Sequence, residues 1–373
     1  MREVFRFKSV YIRNRQPATK KEHPMNRFLK EIEEQPQALS DTLAYYEESG
    51  KEKLNQVYSL WQSGHYDKII FTGMGSSYFI AYAATCLFNT GEISSFAINA
   101  GELLHYQFSL LSKSTLLVCI SQSGESFEIV KILEKIAPNV TVVAVCNEAD
   151  STLARKATVA LLSKAGKEEM TSTKTFVSTY LVTYLLSLAV HKKINDDSIS
   201  EIKKAINVVS DMLSSRDQWL NKAAGIIGHS PFVQLVGRGP VFATVQQCAL
   251  MFMEATRNPA SALLGGEFRH GPMEMVKDGF CAVVFVPSGI TYSQGIAVAS
   301  DILKYGGKVL LITDHVPSFR DNNLFTISVP CTNEALFALT SAIPLQLVVN
   351  QRSLEEENIP GNFTRGAKVT SIE

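Results

Sequence analysis

The sequence predicts an α/β protein of two tandem lobes, each a doubly wound parallel sheet, related to one another by duplication. Three observations carry this. Short apolar runs recur at matching intervals in the two halves of the 373-residue chain. Each run is apolar on both faces, as parallel strands buried between helix layers are. Patterns with helical periodicity fill the gaps, and strand–helix alternation makes right-handed βαβ crossovers.

In the first half the strand-like runs are 68–72 (KIIFT), 115–120 (TLLVCI), 140–146 (VTVVAVC) and 158–162 (TVALL). In the second they are 232–236 (FVQLV), 281–286 (CAVVFV), 308–313 (KVLLIT) and 324–329 (LFTISV). The steps between successive runs are roughly 48, 26 and 16 residues in both halves, the self-similarity of a repeat. Helical patterns lie at 78–88, 127–136, 175–190, 241–255, 293–305 and 334–349, with a further helix expected over 25–49. The polar helical stretch 195–223 reads as a linker. The expected organisation is an extension over 1–24, a first lobe with its lead-in helix over 25–194, the linker helix at 195–223, a second lobe over 224–350, and a tail over 351–373 that completes the site.

Composition narrows the class. Hydrophobic residues make up 46% of the chain, enough for sizeable cores, and 36 basic residues balance 36 acidic ones. A nucleic-acid footprint would need a basic face. No apolar run reaches the length of a membrane span. Cys119, Cys146 and Cys281 sit in strand-like runs, while Cys86, Cys248 and Cys331 complete the set without a CxxC pair. They read as reduced, packed thiols of a cytoplasmic protein. The seven histidines show no HxH or HExxH spacing, so no metal site is expected. Before Pro24, Arg2, Arg6, Lys8, Arg13, Arg15, Lys20 and Lys21 face Glu3 and Glu22. This reads as a loosely docked extension, since an organellar presequence would be Ser-rich and amphipathic.

Ligands of doubly wound sheets bind beyond the carboxyl ends of the strands. In the first half those ends carry Gly73-Met74-Gly75-Ser76-Ser77, then Ser121-Gln122-Ser123-Gly124-Glu125-Ser126, then Met170-Thr171-Ser172-Thr173-Lys174. Hydroxyls, free N–H groups and the dipole of a helix N-terminus suit a phosphate dianion, and glycine lets the backbone approach it. One such loop alone reads as ordinary helix capping. Three at the ends of one sheet favour a phosphate cradle. The equivalent loops of the second half, Gly237-Arg238-Gly239-Pro240 and 287–291, keep glycine and lose most hydroxyls. One phosphate site per chain is therefore expected, in the first lobe.

The second half offers acid–base groups instead. Glu254 lies in an apolar helical segment, Leu250-Met251-Phe252-Met253-Glu254-Ala255. Partial burial would raise its pKa toward that of a useful base, and an ion pair with Arg257 is the competing reading. His270 lies in Gly265-Gly266-Glu267-Phe268-Arg269-His270-Gly271-Pro272, where it is either a functional imidazole or a packed loop histidine. Lys368 in the tail can engage a carbonyl or simply be solvated.

These residues together resemble the isomerase portion of glutamine–fructose-6-phosphate aminotransferases and their stand-alone sugar isomerase (SIS) relatives, among them amino-sugar-phosphate deaminases and fructosamine-phosphate deglycases. The resemblance runs from about Phe28 onward. It is most specific at Ser121-Gln122-Ser123-Gly124-Glu125-Ser126, Ser172-Thr173-Lys174, Glu267-Phe268-Arg269-His270-Gly271-Pro272 and Ala367-Lys368. It implies two flavodoxin-like SIS lobes that need no metal or organic cofactor. It implies that Gly75, Ser76, Ser77, Ser121, Gln122, Ser123 and Ser126 bind the phosphate and sugar, with Met170 and Ser172 lining the sugar pocket. Glu254 is implied as the proton-shuttling base and Lys368 as the lysine that engages the carbonyl. His270 is implied as a ring-opening histidine that reaches the neighbouring site of a homodimer.

Two departures from the family pattern matter. No cysteine precedes Cys86, so glutamine hydrolysis is not expected. Met251 stands where the aminotransferases carry a second lysine. Both favour a reaction that releases ammonia or an amine from an amino-sugar or fructosamine phosphate. A plain ketose–aldose phosphate isomerase and a non-catalytic sugar-phosphate sensor are the alternatives. Substrate choice is expected to depend on Met170, Met251 and the loop near 261–266.

Overall fold

The computed structural model describes residues 26–90, 93–331 and 333–369; the expected extension over 1–24 lies outside them. The lead-in segment forms two helices, α1 (Arg27–Glu33) and α2 (Gln35–Glu47), where one had been expected. Asn26 caps the first through the Leu29 amide at 3.0 Å, and Pro36 opens the second, where its missing N–H costs no helix bond. Helix α3 (Lys51–Gln62) then leads into the first sheet.

Lobe one continues as β1 (Lys68–Gly73), α4 (Ser76–Phe88), β2 (Ser95–Asn99), α5 (Ala100–His105), β3 (Thr115–Ile120), α6 (Phe127–Lys135), β4 (Thr141–Cys146), α7 (Thr152–Lys156), β5 (Val159–Leu162) and α8 (Lys174–Val190). The connection is α9 (Asp196–Ser214) and α10 (Leu220–Ile227). Asn195 and Ser198 close a reciprocal capping box at the start of α9, with bonds of 2.8 and 3.0 Å. Lobe two follows as β6 (Val233–Gly237), α11 (Phe242–Thr256), β7 (Ala260–Leu264), α12 (Gly265–Arg269), β8 (Cys281–Val286), α13 (Tyr292–Lys304), β9 (Lys308–Thr313), β10 (Leu324–Ser328), α14 (Glu334–Thr340) and α15 (Ala342–Glu355). Pro344 sits in the first turn of α15, and the chain breaks at Ser341 where a single helix over 334–349 had been expected.

Both sheets are wholly parallel and five-stranded, ordered β2-β1-β3-β4-β5 and β10-β9-β8-β6-β7. Counted within each lobe, the order is the same, so the duplication inferred from spacing is a duplication of topology. The eight strands expected from apolar runs are all present. Two further strands, β2 and β7, lie at sheet edges.

Helix α8 explains how the lobes join. All of its residues are buried, with apolar side chains on every side and no polar face, as an enclosed helix requires. It packs against α2, α3, α4 and α14. Phe176 and Tyr180 are almost wholly enclosed, each stabilising the fold by about 1.5–3 kcal/mol. Helix α4 of lobe one also packs on α11 of lobe two. One hydrophobic core therefore runs through both sheets, and the carboxyl ends of β1 and β3 are brought beside α11.

Candidate active site

The first sheet reverses its winding between β1 and β3, which is where such sheets open a ligand crevice. A cavity of about 290 Å³ lies there. The loop after β1 lines it with Met74, Gly75, Ser76 and Ser77, and the loop after β3 with Gln122, Ser123 and Ser126. Gly75 has φ +51°, which aims the chain into α4, and no side chain caps that helix. Helix α6 likewise starts without a side-chain cap. Two helix N-termini thus offer uncapped ends to one cavity, the arrangement that attracts an anion.

The loop after β3 is held by its own bonds. Ser121 is buried, its hydroxyl 3.1 Å from that of Ser126 and accepting from the Gly124 amide at 3.2 Å. The Glu125 carboxylate accepts from the Thr152 amide at 2.6 Å, tying the loop to α7. Ser121 therefore shapes this loop from behind rather than lining the cavity. Glu128, in the first turn of α6, is a nearly enclosed carboxylate that does line the cavity, at a helix end whose dipole favours negative charge.

The third hydroxyl-rich loop behaves differently from expectation. The N-terminus of α8 already holds an anion, the carboxylate of Glu168. Glu168 accepts from the Thr173 amide at 2.9 Å and the Thr175 amide at 3.1 Å, and from both threonine hydroxyls at 3.1 and 2.5 Å. This loop brings Ser172 to the cavity, but its helix end is occupied.

Lobe two and the tail close the opposite wall through Leu250, Glu254, Phe363, Ala367, Lys368 and Val369. Glu254 forms no pair with Arg257, which ends α11 in the left-handed conformation. Its carboxylate instead accepts the hydroxyl of Thr171. Burial raises its pKa above the ordinary carboxylate value, while the Thr171 bond and the Lys368 charge offset part of the rise. Lys368 donates to Glu168 at 2.5 Å and to the Met170 carbonyl at 2.7 Å. Glu31, from α1, supports the same loop by accepting from the amides of Glu169 at 2.6 Å and Met170 at 3.2 Å. Burial and the neighbouring Glu168 push Glu31 up to about 7.

Of the residues singled out from sequence, Gly75, Ser76, Ser77, Gln122, Ser123, Ser126, Ser172, Glu254 and Lys368 share this one cavity. Met170 is buried beside it and acts through its backbone. Met251 is fully buried in the core, so neither methionine forms the cavity wall expected of it. The expected loop near 261–266 does not line it either; Gly265 and Gly266 lie against Arg238. His270 is exposed at the end of α12, outside this cavity. Glu31, Glu128 and Glu168 were not singled out, and Thr171 was noted only as part of its loop. At the equivalent crevice of lobe two, Arg238 occupies the turn after β6, and a void of only about 10 Å³ remains. Among the described residues no cluster of three or more His, Cys, Asp or Glu side chains could hold a metal ion.

A family model described as the SIS domain matches residues 65–189 and again 227–354. The glutamine–fructose-6-phosphate aminotransferase of Pyrococcus horikoshii is 29% identical over 354 residues, covering 93% of this chain and 58% of that protein. The same enzyme of Thermococcus kodakarensis is 26% identical over 355 residues, with the same coverage. The chain thus spans 58% of the length of these curated relatives. Among solved structures, the C-terminal domain of glucosamine-fructose-6-phosphate aminotransferase from Francisella tularensis superposes with a TM-score of 0.79 at 22% identity, covering 91% of this chain and 98% of that one. Tagatose-6-phosphate ketose/aldose isomerase from Escherichia coli gives 0.77 at 21%, covering 90% and 94%. Glucosamine-6-phosphate deaminase from Thermotoga maritima gives 0.70 at 20%, covering 92% and 99%. At these identities the structural matches speak for the fold.

Proposed function

This chain belongs to the SIS domain family, carrying two copies in tandem, and from that premise we propose that it is an enzyme that releases ammonia or an amine from a phosphorylated amino sugar or fructosamine. One observation carries the reading: a raised-pKa carboxylate, Glu254, and an amine, Lys368, face the same cavity as the serine-lined ends of α4 and α6. A phosphate held by the helix ends lends binding energy to orient the reacting carbons. The names of the relatives, all enzymes of phosphorylated sugars, support that substrate class.

In the proposed reaction the open-chain 2-amino sugar presents C1 and C2 to Glu254. The carboxylate takes the proton from C2, giving an enolamine, and returns a proton to C1, giving an imine at C2. Water adds to the imine carbon and ammonia leaves, so the products are a ketose phosphate and ammonia. A general base works best when its pKa lies near the working pH, and burial moves Glu254 in that direction. Lys368 meets the sugar carbonyl. Exposed His270 serves the ring-opening step in the neighbouring site of a homodimer, which accounts for its distance from its own cavity.

The deciding experiment is a screen for ammonia and amine release from phosphorylated amino sugars, glucosamine 6-phosphate and fructosamine 6-phosphate first, with Glu254→Gln alongside. Release that depends on Glu254 is expected. Silence of the native protein across the panel rejects the reading, and ketose–aldose exchange with nitrogen unchanged would make it a plain isomerase.

A further inference from the structure

We infer that Glu168 is a positioning residue that fixes Lys368 as an ammonium at the cavity wall, so that the tail lysine acts as a hydrogen-bond-donating cation rather than as an imine-forming nucleophile. The second half of this inference rests on the proposed function; the first half does not.

The side chain of Glu168 is fully enclosed. An ionised carboxylate in that position is costly unless it is paired and its lone pairs are filled. Here four donors from Thr173 and Thr175 fill them, and a single cation, Lys368, reaches the carboxylate. A neutral amine in its place would leave the buried charge without a counter-ion.

The geometry of the amine agrees. An ammonium has three N–H donors. Two are committed, to Glu168 and to the Met170 carbonyl. One remains for the cavity that Lys368 lines. A lysine converted to a protonated imine keeps a single N–H, so imine formation would break at least one of the two bonds. The same bonds strap the tail in place. Upstream, the Gly361 carbonyl accepts from the Thr171 amide at 3.2 Å, so Gly361 and Lys368 clamp the segment carrying Phe363 onto the 168–172 loop. The carboxylate that occupies the end of α8 thus positions the lysine and, through it, the tail that closes the cavity.

Two measurements test this. In the free protein, amide exchange of residues 359–369 should quicken at least tenfold in Glu168→Gln and in Lys368→Met, and stay within about threefold of native in Lys368→Arg. Tail exchange indifferent to Glu168→Gln overturns the positioning role, whether or not any sugar phosphate is a substrate. With glucosamine 6-phosphate as probe, Lys368→Arg should keep at least a tenth of native kcat while Lys368→Met loses a hundredfold or more. Borohydride quenching of the turning-over enzyme should leave no substrate-dependent adduct on Lys368. A reduced adduct there, or Lys368→Arg as inactive as Lys368→Met, overturns the cation role. Native protein that neither binds nor turns over a sugar phosphate rejects the proposed function instead, and the exchange result stands apart from it.

Discussion

The hydroxyl of Thr171, on the loop after the first sheet, donates to the carboxylate of Glu254, on a helix of the second lobe. The bond favours the charged form of a carboxylate that burial otherwise disfavours. Thr171→Val keeps the shape and removes the donor. Its acid limb of kcat should therefore move to higher pH, because Glu254 then holds its proton more tightly. An unchanged limb would separate Thr171 from the base.

Glu254→Gln keeps hydrogen bonding and removes basicity. Turnover should fall by about 10²–10⁴, the usual worth of a positioned general base. Sugar-phosphate binding should change by less than about threefold, since the helix ends proposed to hold the phosphate are untouched. Calorimetric titration beside a steady-state assay separates the two, and equal losses in both would reassign Glu254 to binding.

Gly124 has φ +64°, and a Cβ placed there would come within 2.2 Å of the Ser151 hydroxyl oxygen. That hydroxyl caps α7 by accepting from the Ala154 amide. Gly124→Ala should therefore lose about 2–3 kcal/mol and open the cradle, weakening binding of inorganic phosphate. Gly64 is the control, with φ +72° and open space around its Cβ, so Gly64→Ala should cost about 1 kcal/mol from the backbone alone. Urea midpoints of the two variants measure the difference.

What the sequence revealed follows from what each element buries. The six inner strands were legible because both faces are enclosed and both faces are apolar, and the edge strands β5 and β10 because their runs stay largely apolar although only partly buried. Strands β2 and β7 were not, because their short runs, Ser95–Asn99 and Ala260–Leu264, mix polar and small residues with few large apolar ones: Phe96 in β2 is 53% exposed, and no residue of β7 is fully buried. That the loops after β1 and β3 flank one cavity was legible because their glycines and serines sit beside strand ends in the chain itself. The Glu168–Lys368 pair was not, because its partners lie 200 residues apart and the acid sits in a polar loop that reads as surface. Met251 was placed at the cavity wall against its helical phase. Leu250 and Glu254, four residues apart, share the face that lines the cavity, and Met251 turns about 100° away into the core.

Glu31 supports the 168–172 loop from α1 and makes stability depend on pH. Its proton leaves near 4.5 in the unfolded chain and near 7 in the folded one, because burial and Glu168 disfavour its charge. The Met170 amide, Lys368 and Lys174 oppose that shift without cancelling it. Between those two values the folded state binds more protons than the unfolded state, so stability falls as pH rises through the window and levels off above about 7. Glu31→Gln has no proton to lose and keeps an oxygen for the loop amides. Relative to native protein, the variant should gain stability progressively from pH 5 to about pH 7 and hold that gain to pH 8. Urea unfolding of both proteins at several pH values across that range reads the difference directly, and parallel curves would show that Glu31 carries no such linkage.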